Sequence, residues 1–234
     1  DPPILLRRTP GALHLVGGAA GPLGGDRLAL DVGVGPGARL VVRGVAASLA
    51  LPGPDISTLD VGVDVGAGGE LDWSPGTLVS VVGSSHVVRI RVRMASDSTL
   101  RWREQIVLGR TGEEPGALTT ICRIERNGAP LLHHEVRFGD GVPGWDGPAN
   151  LGGSRAILSE VRVGPGGHEA VVRSSGTTRA ARFPLATDAS LLMVAANSLE
   201  DACAFLAPLT ADTNPGDRET RSQLVGNTVE TQPG

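Results

Sequence analysis

The sequence predicts a mainly β protein of stacked strand layers, with one or two short helices, one of them near the C-terminus. Three observations lead there. Thirty-four glycines and 17 prolines punctuate short runs of alternating apolar and polar residues over 234 positions, the pattern of strands joined by tight turns. Three segments of similar form recur at a period near 30 residues. A capped helical pattern stands out late in the chain, after Ser198.

The recurring segments run from Leu30 to Leu40, from Leu59 to Leu71 and from Ile90 to Leu100. Each reads as a strand, a turn and a returning strand. The returning leucines Leu40, Leu71 and Leu100 stand 31 and 29 residues apart, which predicts stacked supersecondary units, β-helix-like or a layered sandwich, rather than an up-and-down barrel. Gly33-Val-Gly-Pro-Gly37 follows a strand but precedes another strand. It is therefore read as a turn and not as a phosphate-binding loop, which needs a helix N-terminus. Trp73 and Trp102 are expected to anchor the core at strand ends. Ser198-Leu-Glu-Asp201 has the form of a helix cap, and Leu199, Ala202, Cys203 and Leu206 follow at helical spacing up to Pro208, making Cys203 a core thiol. Residues 1–209 are read as one β domain and 210–234 as a polar tail without assigned role.

Alternate residues of a strand point to opposite faces, so polar residues that share parity with an apolar face are informative. Glu104 falls with Leu100, Trp102, Ile106 and Leu108. His134 falls with Leu132, Val136 and Phe138, while His133, Glu135 and Arg137 point the other way. Asp26 opens the face of Leu28, Leu30, Val32 and Val34. His86 shares parity with Val88, Ile90 and Val92, opposite a solvated stripe of Arg89, Arg91 and Arg93. A carboxylate buried alone costs several kcal/mol. Each of these groups should then be paired, hydrogen-bonded, protonated, or in contact with internal water. The structural alternative is arginine pairing, or for Asp26 a turn after two glycines. Carboxylate with imidazole also suits a divalent metal such as nickel, but the neighbours His133 and His134 face opposite ways and cannot share one ion.

Composition excludes several chemistries. The formal charge of −4 lacks the basic footprint of nucleic-acid binding. All 21 basic residues are arginine, so a Walker loop, a Schiff base and a lysine base cannot be built. Cys122 and Cys203 are isolated, which indicates neither a zinc finger nor a disulfide framework and fits a reducing compartment. Serine-hydrolase and zinc-protease signatures are missing. With no leader pattern in Asp1-Pro2-Pro3 and no long apolar run, the expected location is the cytoplasm, away from membranes.

Five ordered motifs carry a family resemblance: Gly17-Gly-Ala-Ala-Gly-Pro-Leu-Gly-Gly-Asp-Arg-Leu28, the repeated Gly-Ala-x-Leu turns, Leu71-Asp-Trp-Ser-Pro75, Ile106-Val-Leu-Gly-Arg110 and Arg126-Asn-Gly-Ala-Pro-Leu-Leu132. In their order and spacing the chain resembles the urease accessory protein UreD family, also called UreH. The match covers about His14 to Phe138, with a weaker continuation through Gly152–Ile157 and from Arg182 through the Leu199 helix. The resemblance implies a non-enzymatic factor for nickel insertion that binds a UreF-type partner. That partner recruits a UreG-type GTPase, and the assembly docks on urease apoprotein. It further implies an internal water-filled passage for nickel, lined in part by acidic residues, with no tightly bound cofactor and only transient Ni²⁺. Asp26 matches the aspartate of the family's Gly-Gly-Asp motif, and Glu104 its acidic position before Leu-Gly-Arg.

The chain departs from the family at several points. His134 stands where glutamate is usual. Ser48-Leu-Ala-Leu-Pro52 keeps only the serine of a charged and aromatic motif. Arg103 stands where tryptophan is frequent, on the face opposite Glu104, and the first strand pair is expected to be absent or replaced by Ile4 to Arg8. The expected passage contacts are Asp26, Glu104, His134, Ser48 and His86. Two other readings stay open: a carboxylate hydrolase using Asp26 and Glu104 as acid and base, for which 3% aromatic residues offer few sugar-stacking platforms, and a purely structural β scaffold.

Overall fold

The computed structural model describes residues 4–211, and the expected tail, apart from Thr210 and Ala211, lies outside the described residues. Sixteen strands and one helix follow in the order β1 (Ile4–Thr9), β2 (Ala12–Gly17), β3 (Arg27–Val34), β4 (Arg39–Gly44), β5 (Ser48–Ala50), β6 (Ser57–Val65), β7 (Glu70–Ser74), β8 (Thr77–Ser80), β9 (Ser85–Met94), β10 (Thr99–Leu108), β11 (Ala117–Arg126), β12 (Ala129–Phe138), β13 (Ala156–Val163), β14 (Val171–Ser175), β15 (Thr178–Ala186), β16 (Ala189–Ala196) and α1 (Leu199–Ala211). They form an 11-stranded sheet, with main path β1-β2-β4-β7-β10-β13-β16-β15-β14, and a five-stranded sheet of order β12-β11-β9-β6-β3.

The middle of the molecule is a solenoid. Each turn of chain adds one strand to the small sheet and one or two to the large sheet, so β3, β6, β9 and β11 pair in parallel, as do β4, β7 and β10. The repeat seen in the sequence holds residue by residue, because Leu40 pairs with Leu71 and Leu71 with Leu100. Two positions further on, Trp73 pairs with Trp102. Their rings stack at 4.8 Å between centroids, nearly parallel at 4°, and both side chains are buried. Trp102 lies within β10 rather than at its end.

Strand alternation follows the expected parity. His86, Val88, Ile90, Val92 and Met94 are buried, while Arg89, Arg91 and Arg93 are exposed; Arg93 and Arg89 pair with Asp64 and Asp60 on the outer face of the small sheet. The outer face of the large sheet holds a tighter network. Glu160 has no exposed side-chain surface and accepts bonds from Arg101, Arg103 and Arg162, and Arg43 clasps Asp72 through two nitrogens at 2.9 and 2.6 Å. Arg103 thus lies opposite Glu104, as its parity requires, and 20% of its side chain is exposed.

Beyond β10 the chain changes from parallel stacking to an antiparallel meander through β13, β16, β15 and β14, which extends the large sheet past the edge of the small one. At the other end β1 and β2 make a complete antiparallel hairpin pairing with β4. The first strand pair is thus present rather than reduced to Ile4–Arg8. The helix starts as its cap predicts, with the Asp201 amide donating to Ser198 Oγ at 3.1 Å and Ser198 donating to Asp201 Oδ2 at 2.7 Å. It does not stop at Pro208, which lies inside it. Arg182 donates to the Leu209 carbonyl near the helix end. Cys203 is half-buried against the apolar cluster under this helix.

Candidate functional site

The apolar interior between the sheets is divided into two clusters. One contains Trp73, Ile90, Trp102, Cys122 and Val161; the other contains Ile106, Leu118, Phe138 and Ile157. Glu104 lies at the division, between Trp102 and Ile106 on the inner face of β10. Strand register carries that level across the large sheet: Glu104 pairs with Ser159, Ser159 with Met193, Met193 with Ala181 and Ala181 with Val172. The adjacent level of Trp102, Val161 and Leu191 is buried and reaches the surface at Phe183, which is 49% exposed. On the other side, Ile106 and Ile157 are buried, Ala195 is half-buried and Arg179 is exposed. Along the Glu104 level, by contrast, Glu104, Ser159, Met193 and Ala181 each keep accessible surface, and Val172 at the sheet margin is 86% exposed.

Glu104 and Ser159 thus keep partial exposure at a depth where their neighbours Trp102, Val161, Ile106 and Ile157 are buried. Burial pushes the Glu104 carboxyl up to about 7, opposed by a hydrogen bond from Ser159.

The small sheet contributes the facing groups. His134 is half-buried on the inner side of β12, directly opposite Cys122 of β11, and burial lowers the pKa of its imidazole. Cys122 is 4% exposed. Burial, and secondarily the Glu104 charge, raise its thiol pKa, which places thiol and carboxylate within electrostatic reach. Sequence reasoning passed over Cys122 because an isolated cysteine on an apolar strand face carries no signal of its own. The register opposite His134 supplies the signal. Ser159 and Met193 were missed for a similar reason, since their level is defined only by pairing across the large sheet.

The remaining expected contacts lie elsewhere. His86 is 1% exposed; its Nδ1 is 2.8 Å from Ser57 Oγ, its Nε2 has no partner, and burial lowers its pKa to about 4. It belongs to the buried interior nearer the β8–β9 turn. Asp26 precedes β3 instead of opening its inner face, and its Oδ2 accepts the Leu23 amide at 2.8 Å, the turn role that two preceding glycines suggested. Ser48 lies exposed on β5, opposite Leu78. Asp26 and Glu104 thus occupy separate places: a surface turn at the margin of the small sheet and the interior of the large one. Among the described residues, no three His, Cys, Asp or Glu side chains are grouped to hold a metal ion, and no helix is long and apolar enough to cross a membrane.

Fold and interior together define a β-solenoid in which a partly exposed carboxylate interrupts the apolar interior, with no closed metal cage among the described residues. The chain belongs to the UreD urease accessory protein family, whose family model matches residues 6–218. It is similar to the urease accessory protein UreD of Frankia alni, at 40% identity over 89% of this chain and 77% of that protein. The UreD of a Parafrankia strain is 42% identical over 79% of this chain and 71% of its own length. UreD 3 of Streptomyces griseus is 44% identical over 83% and 80%. Its role is that of a urease accessory protein, and the family implies a non-catalytic contribution to urease maturation.

Proposed function

We propose that this chain acts in the cytoplasm as the scaffold of a nickel-insertion assembly. It binds a UreF-type partner, which recruits a UreG-type GTPase, docks on urease apoprotein, and passes Ni²⁺ through its interior. The observation that supports the passage is the partial exposure of Glu104 and Ser159 at a depth where Trp102, Val161, Ile106 and Ile157 are buried. A passage must attract an ion without trapping it. A single carboxylate and a serine hydroxyl on the large sheet, with a single neutral imidazole on the small one, meet that requirement better than a closed cage. Glu104 and His134 are the contacts assigned to the moving ion. Asp26 holds a turn, His86 lies at a separate buried level and Ser48 faces outward, so none of the three is assigned a contact.

The experiment is co-purification of this chain with the UreF-type partner and urease apoprotein, followed by activation with wild type and with Glu104→Ala. The expected result is an intact complex for both and impaired activation for the variant. Full activation by Glu104→Ala would remove the passage role of that residue, and failure to form a complex would remove the scaffold role.

A further inference from the structure

The N-terminal end of the solenoid is left half built. Beyond β4 the large sheet continues for two more strands, β2 and β1, while the small sheet stops at β3, which reaches β4 through the turn at 35–38. Thr58 donates to the Asp26 carbonyl and Gly66 to the Val34 carbonyl. In that register the even-numbered residues of β3 direct their backbone groups to β6, and Arg27, Ala29, Asp31 and Gly33 direct theirs outward. Among the described residues no strand meets that edge. The core is open there too: Leu30, Val32 and Leu40 are half-buried, whereas their register partners Val61, Val63 and Leu71 are buried. Beside the gap, the core-facing side of the β1–β2 hairpin carries Leu13 and Leu15, with Leu6 opposite Leu15 and 48% exposed.

We infer that this gap is a strand-addition site, filled by one extended segment of a protein partner with apolar residues at alternate positions and a carboxylate near one end. The inference rests on the scaffold reading and names the form of contact the scaffold offers. The outward N–H and C=O groups of an edge strand are matched by those of another extended chain, and strand alternation turns every second side chain of that chain toward Leu6, Leu13 and Leu15. The overhanging hairpin leaves room beside β3 for a strand but stands where the large sheet of a second copy would continue, which favours a single segment as the occupant. The charge follows from a pocket of about 930 Å³ where the hairpin tip departs from β4, between Arg8 and Arg39 and with no acidic residue in its lining. Arg8 has no ion pair among the described residues, and Arg39, with 72% of its side chain exposed, comes only within 3.7 Å of Glu70.

The test uses the complex of the full chain with the UreF-type partner and urease apoprotein. Assembly should slow hydrogen–deuterium exchange across Arg27–Val34, and Ala29→Pro should weaken assembly by about tenfold or more. The Ala29 N–H lies outside the β6 ladder, so proline there leaves the free chain folded. Leu6→Lys alters the overhanging face without touching β3 and should weaken the same assembly. Unchanged exchange in an intact complex, or undiminished assembly by both variants, would overturn the site. A maleimide photo-cross-linker attached at Ala29→Cys identifies the occupant. The expected product joins a partner segment with apolar residues at alternate positions, and a product within this chain or between two copies would overturn the assignment. Absence of any complex would remove the scaffold reading and this inference with it, whereas a complex in which the β3 edge still exchanges freely would remove the inference alone.

Discussion

Replacing Glu104 by glutamine should stabilise the isolated chain at alkaline pH while impairing nickel delivery. Burial raises this carboxyl from 4.5 to about 7, so the folded chain holds its proton over a range in which the unfolded chain has released it. Stability associated with Glu104 is then fully present below pH 4.5 and lost as pH rises through 7. At about 1.4 kcal/mol per pH unit, the full difference is about 3 kcal/mol, and solvent reaching the partly exposed carboxylate reduces it. Glutamine keeps the shape and can accept from Ser159, but has no charge to desolvate. Urea unfolding at pH 5 and pH 8 should show Glu104→Gln gaining about 1–3 kcal/mol on wild type between the two conditions. A variant whose difference from wild type does not change with pH, or that loses ground at pH 8, would refute a desolvated carboxylate at this position.

Three further substitutions test the surrounding fold. His86, held near 4 by burial, has the opposite pH dependence: its stability is present above pH 6.5 and lost toward pH 4. Wild type should therefore lose up to about 3 kcal/mol relative to His86→Leu across that window, measured as the shift in urea midpoint. Trp102→Ala removes one ring of a buried stack and should destabilise by about 3–5 kcal/mol in equilibrium unfolding. At Gly139, φ is +82° and a Cβ would stand 2.0 Å from the Gly116 carbonyl oxygen. Gly139→Ala should thus lower stability by more than about 2 kcal/mol, read from thermal melts.

The solenoid was legible because its repeat is written in side chains that stack on one another. Leu40, Leu71 and Leu100 are register partners, and the 31- and 29-residue spacing is the length of one turn of chain. Parity likewise located Glu104, His86 and His134 on inward faces, since a strand's period of two leaves no freedom. It failed at Asp26, which lies one residue before β3 and serves a turn; a parity argument holds only inside the strand. The helix passed the expected stop because packing of Leu206 and Leu209 under the sheet extends it beyond the proline. The level of Glu104 across the large sheet was not legible. It is defined by antiparallel pairing of Glu104 with Ser159 and of Ser159 with Met193, positions 55 and 34 residues apart in sequence, and no local pattern encodes which residues of a meander meet.

The central claim is that nickel loading of urease depends on this chain. The most direct measurement is reconstitution of urease apoprotein with Ni²⁺, the UreF-type and UreG-type partners and GTP, with and without the chain, reading bound nickel and urease activity together. The account predicts that both rise only when the chain is present and that both fall with Glu104→Ala. Equal nickel content and activity without the chain, with every component folded, would contradict it.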